Sequence, residues 1–177
     1  MRSHRRDLLK GVFGLAGAAM FGGAARAAVA EPRTLSLLNL HTGEKLKATY
    51  FEAGQYLPDA LEAMNHLLRD FRTGDTHPIA PNLLDLVTTL QGRLDTNQTI
   101  HVISGYRSPH TNALLHERSN GVASHSLHMQ GEAMDLRIPG VELADLRDAA
   151  LGLGRGGVGY YPGSDFVHVD VGRVRRW

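Results

Sequence analysis

Residues 166–171 read Phe-Val-His-Val-Asp-Val, and strict alternation of this kind belongs to a strand buried on one face only. Val167, Val169 and Val171 share a face suited to a core. Phe166, His168 and Asp170 share the other, which must meet a cleft or solvent. Residues 133–138 (AMDLRI) repeat the pattern, with Met134, Leu136 and Ile138 on one side and Asp135 on the other. A carboxylate at the mouth of a strand is costly to bury unless an arginine, a helix end or a metal ion sits against it. As antiparallel neighbours, these two strands would present Asp135 and His168 together, with His128 arriving from the loop before Gly131.

The remaining elements fall around these strands. Residues 33–40 and 45–51 form a hairpin across HTGE, where Gly43 supplies a positive φ. Apolar residues at Leu57, Leu61, Met64, Leu68 and Phe71 predict a helix over 56–72, closed by Gly74 and Pro78. A second helix covers 81–94, with Pro81 and Asn82 at its start. TIHVIS is a strand leading into the loop GYRSP, a brief helix covers 110–118, and another helix covers 141–153. The last hairpin turns at Pro162-Gly163. Helices early and strands late indicate one small α+β domain, an antiparallel sheet with helices packed on one side.

The first thirty residues stand apart from this domain. Arg5-Arg6, followed by Leu8, Leu9 and Lys10 and a short Gly/Ala-rich apolar stretch, resembles a twin-arginine export signal. Small-residue cleavage sites end at Ala27 and at Ala30. The reading is therefore a signal over 1–30, a folded domain over 31–177, passage through the twin-arginine translocase, and a periplasmic product with no stable membrane insertion after cleavage. The first 27 residues carry five basic groups and one acidic group. Residues 28–177 hold 14 Lys+Arg against 17 Asp+Glu, a net charge of −3 with neutral histidines, which argues against a nucleic-acid binder. The basic tail RVRRW reads as a solvated end. With no cysteine in the chain, thiol catalysis, disulfides and cysteine-ligated metals are excluded, while ten histidines supply imidazole, the commonest metal ligand.

Two imidazoles and one carboxylate, with a position left for water, form the donor set of catalytic rather than structural zinc. Ser126-x-His128-x-x-Gly131-x-Ala133-x-Asp135, followed by Phe166-Val-His168-x-Asp170, resembles the LAS group of zinc peptidases, the D-Ala-D-Ala carboxypeptidases and murein endopeptidases. Arg107 in SGYRS, LLNLHTGE and GGVGYYP extend the likeness to the exported murein endopeptidase K type. The resemblance implies the hedgehog/D,D-peptidase-like fold, one Zn2+ held by His128, Asp135 and His168, and peptidoglycan stem peptides as substrate. It implies that Arg107 holds a substrate carboxylate or polarised carbonyl, that Ser126 touches substrate or supports the first ligand, and that Asp165 is the general base. Strand parity points Asp165 away from His168, although the turn PGSD can relax that constraint. Asp170 shares the ligand's face as an alternative base or a group that orients an imidazole, and His125 is a further proton-transfer or substrate-binding candidate. Tyr160 and Tyr161 are divided between core and cleft.

Two other readings compete with an endopeptidase or carboxypeptidase. A non-haem iron oxygenase also uses two His and one carboxylate, but its usual order is H-x-D with a later His. Here no histidine follows His168-Val-Asp170. A peptidoglycan-binding module that keeps its zinc pocket without catalysis is separated from the enzyme by the role of Asp165.

Overall fold

The computed structural model describes residues 31–118 and 122–177, so the signal read in 1–30 lies outside the described residues. Strands β1 (Arg33–Asn39) and β2 (Lys45–Glu52) pair antiparallel across the turn where Gly43 takes φ +75°. A two-residue strand, β3 (Gln55–Tyr56), extends the β2 edge. Helix α1 (Pro58–Leu67) is shorter than its apolar stripe predicts. The terminal carbonyls are taken from elsewhere: Asn39 Nδ2 donates to Leu67 O at 2.9 Å, and Tyr106 N donates to Leu68 O at 2.7 Å. Those bonds close the helix before Phe71 can join it. Helix α2 (Pro81–Arg93) starts on its proline, as the sequence predicts.

Strand β4 (Ile100–Ser104) is followed by the loop carrying Arg107, then α3 (Pro109–Arg118). Strand β5 (Ala133–Arg137), α4 (Leu143–Leu153), β6 (Gly157–Tyr161), β7 (Phe166–Asp170) and β8 (Arg175–Arg176) complete the order. The eight strands form one sheet in the order β3-β2-β1-β4-β5-β7-β6-β8. Its pairs are antiparallel except β1–β4 and β6–β8, which run parallel. The tail expected to be a solvated end is therefore an ordered edge strand, a correction with consequences for the site. Its backbone has partners in β6, which the basic composition of RVRRW conceals.

One face of the sheet makes the core. Leu35, Leu37, Ile100, Val102, Met134, Leu136, Val167 and Val169 are buried against Met64, Leu83, Leu84, Leu90 and Leu146 of α1, α2 and α4. Each such side chain contributes roughly 1.5–3 kcal/mol. Helix α3 differs, because its buried residues are the polar Thr111 and Asn112. Asn112 instead donates to the carbonyls of Ala123 and Ser124 at 3.1 and 3.4 Å, tying down the loop that leads to His128. Among the described residues, no helix is long and apolar enough to cross a membrane.

Candidate metal centre

The valine face of β7 fixes where its other side chains go. Asp135 of β5 stands directly opposite His168 of β7 in the antiparallel register, and both turn away from the core. His128 joins them from a single 3-10 turn, Leu127–Gln130. Ser126 caps that turn, its Oγ accepting from the His128 N–H at 3.3 Å. Gly131 ends it at φ +67°, where a Cβ would collide with the Pro78 carbonyl, so only glycine fits.

Three polar atoms converge from these residues. His128 Nε2 lies 3.2 Å from Asp135 Oδ1 and 3.2 Å from His168 Nδ1, and His168 Nδ1 lies 2.8 Å from the same oxygen. The outer ring nitrogens settle the protons. His128 Nδ1 faces the Gly105 carbonyl at 2.7 Å, and a carbonyl only accepts, so Nδ1 carries hydrogen. His168 Nε2 donates to Asp170 Oδ2 at 3.0 Å. In neutral rings both inward nitrogens are then bare lone pairs, and they face a carboxylate oxygen. Three acceptors at this spacing call for a cation among them, and the spacing suits atoms ~2 Å from a shared ion. The buried set His128, Asp135 and His168 thus fits a metal ion in donor type and in proton state.

The surrounding charges agree. When protons rather than a metal ion occupy the inward nitrogens, burial alone would raise the pKa of Asp135, but the charge of a protonated His128 and hydrogen bonds from both imidazoles hold it well below the usual carboxylate range. Burial disfavours charge on His168, yet Asp135 and Asp170 outweigh it and raise its pKa. Asp170, fully buried, accepts from Arg175 Nη2 at 2.6 Å and Nη1 at 3.0 Å, and from the Gly157 and Gly172 N–H groups at 2.9 Å each. Its acceptor capacity is committed to holding His168, the orienting arrangement open in the sequence.

Arg107 Nη2 approaches Asp135 Oδ2 at 3.7 Å, and its Nη1 reaches Asn112 Oδ1 at 3.5 Å. Burial lowers its pKa, and its buried Nε has no hydrogen-bond partner. Arg107, His125, Ser126, His128, Asp135 and His168 line one cleft of about 570 Å3. His125 is exposed there, its Nδ1 3.2 Å from Ser124 Oγ.

A family model described as peptidoglycan L,D-endopeptidase MepK matches residues 27–177. The chain belongs to that family. It is 49% identical over 146 residues to the peptidoglycan L,D-endopeptidase MepK of Escherichia coli K12, covering 82% of this chain and 80% of the relative. It is 44% identical over 148 residues to the probable peptidoglycan L,D-endopeptidase MepK of Haemophilus influenzae, covering 83% and 80%.

Within this MepK family domain, Asp165 stands apart from the cluster. It precedes β7 with φ +54°, is exposed, and forms an ion pair with Arg137. Since Arg137 shares the Asp135 face of β5, the side chain reaches the site's side of the sheet rather than pointing away as strand parity requires. Its neighbours Ser164 and Phe166 line the cleft. Tyr160 packs against the core beneath the Arg147 guanidinium, while Tyr161 lines the cleft. Sequence reasoning missed Arg175 and Trp177, both cleft-lining residues from the tail. The available signal was the spacing Gly157-x-Gly159, which leaves the site's face of β6 bare for other side chains to cover.

Proposed function

We propose that this protein is an exported zinc endopeptidase that hydrolyses the peptide crosslinks of peptidoglycan. The observation that carries the reading is the set of three converging lone pairs, on two imidazoles and Asp135, beside a partly buried arginine in an open cleft. The two relatives named above support the substrate class. When bound, zinc would supply Lewis acidity and lower the pKa of a coordinated water from 15.7 toward ~7. His128, Asp135 and His168 would hold it, leaving a position for that water.

The chain's own residues do the rest. Arg107, desolvated and with an unpartnered Nε, holds a substrate carboxylate and places positive charge where an oxyanion develops. Asp165 accepts the proton of the attacking water and passes it to the leaving amine. For that it must exchange Arg137 for the water as substrate enters. Ser126 keeps the His128 turn in place from the cleft wall, and His125, exposed at the mouth, contacts bound peptide. The 1–30 signal delivers the folded domain to the periplasm through the twin-arginine translocase, and cleavage near 27 or 30 releases it.

A second reading is a zinc-containing peptidoglycan-binding module without catalysis. The pairing of Asp165 with Arg137 favours it, because that carboxylate is not free in the cleft. Assaying Asp165→Ala on crosslinked muropeptides decides between them. The hydrolytic reading expects kcat to fall by about 10^2- to 10^4-fold with zinc retained. Unchanged turnover moves the base elsewhere, and no turnover by the unaltered protein leaves the binding module. Iron with oxygen consumption in the purified protein would instead sink the peptidase reading.

A further inference from the structure

Trp177 is the single tryptophan of the chain, and half of its surface is exposed. Its indole lies across Gly159, where an added Cβ would come within 2.7 Å of the ring. Gly159 is the register partner of His168, so the indole is held beside that imidazole with centroids 5.2 Å apart. The position is fixed from several sides. Trp177 N donates to Val158 O at 3.2 Å, Tyr160 N donates to Trp177 O at 3.1 Å, and the indole Nε1 donates to Tyr161 Oη at 2.7 Å. The Arg175 guanidinium packs on the ring at 4.9 Å. Tyr161 in turn stacks on Phe166 at 4.6 Å.

All three rings line the cleft, and neither proton transfer nor metal holding uses them. A rigid aromatic surface left partly open gives contact area at little entropic cost. The strand order places it relative to Arg107. Arg107 follows β4, the cluster sits on β5 and β7, and Trp177 follows β8, so the arginine and the indole flank the cluster.

We propose that Trp177, with Tyr161 and Phe166, is the specificity-determining wall of the cleft. A peptide whose carboxylate sits at Arg107 lays a long aliphatic side chain, of the diaminopimelate type, along the indole. An alanine methyl in that place is too short to cover the ring. The inference rests on the reading of the site as a peptidoglycan peptidase.

As the only indole, Trp177 reports on its own cleft. Zinc-loaded protein is titrated with a stem-peptide fragment containing diaminopimelate, and with the same fragment carrying alanine there, while tryptophan emission is followed. The first should change emission saturably, and the second should bind roughly tenfold more weakly. In Trp177→Ala, KM should rise about tenfold while kcat stays within about twofold and bound zinc is unchanged. Trp177→Phe, which keeps an aromatic face, should recover most of the loss. Equal affinity for the two fragments, binding seen by calorimetry without an emission change, or an unaltered KM in Trp177→Ala overturns the proposal. The titration uses the unaltered protein, so it holds even if a variant fails to fold. Discriminating binding without any cleavage contradicts the hydrolytic reading and leaves the wall standing.

Discussion

His168 donates from Nε2 to Asp170 Oδ2 at 3.0 Å, and this bond decides which ring nitrogen faces His128 and Asp135. Asp170→Asn keeps the size of the side chain but removes the charge that fixes the tautomer. It should weaken metal affinity about 10- to 100-fold, measured by competition with a chromogenic chelator. Asp170→Ala also strands two backbone N–H groups and Arg175. It should cost roughly 2–3 kcal/mol in urea unfolding, less than a fully buried pair because Arg175 reaches solvent. An unchanged metal affinity in both variants would remove Asp170 from the account.

His128 contributes one of the three converging atoms from a turn rather than from the sheet. Metal bound only by the native state adds about 4 kcal/mol at a thousandfold excess over its dissociation constant. Chelation should therefore lower the melting temperature of the unaltered protein and leave that of His128→Ala unmoved. Elemental analysis should find no stoichiometric metal in the variant. Full metal content there would refute its assignment as a ligand.

Asp70 anchors the end of the Arg107 loop, accepting from Ser108 N at 2.9 Å while nearly fully buried. Burial alone would raise its pKa, but hydrogen bonds, including those from the Ser108 and Arg72 N–H groups, hold it down at about 2. A depressed folded-state pKa stabilises above the unfolded value near 4 and loses that contribution as pH falls toward 2. Asp70→Asn should be about 2 kcal/mol less stable at pH 6, with the gap closing between pH 4 and 2. Urea denaturation across that range checks it, and a gap independent of pH would assign the cost to packing instead.

Gly159→Ala places a Cβ against the Trp177 ring. The overpacking should cost roughly 1–3 kcal/mol and push the indole off its seat. Tryptophan emission should shift toward the red as the ring becomes more exposed. An unshifted spectrum with native stability would show that the tail does not rest on β6.

The pairing of Asp135 with His168 was legible because period-two alternation fixes faces, and a core on the valine side leaves one place for the polar side chains. Arg107 and His128 stood out by their motif, His128 in what reads as a loop and is a 3-10 turn in the fold. Three features were not legible, each set by distant partners. The apolar stripe of α1 runs on to Phe71, but Asn39 and Tyr106 claim the carbonyls that would extend the helix. Asp165 escapes strand parity through a left-handed backbone and an ion pair with Arg137. The tail carries no alternation and reads as basic solvated chain, yet Arg175 and Trp177 lie on a strip that Gly157 and Gly159 keep bare.

Hydrolysis of peptidoglycan crosslinks at the His128–Asp135–His168 centre is read by digesting purified sacculi with the zinc-loaded protein and identifying the released muropeptides by mass. Crosslinked dimers should convert to monomers with the unaltered protein and persist with His168→Ala. Dimers left intact by protein carrying one zinc per chain would contradict the account.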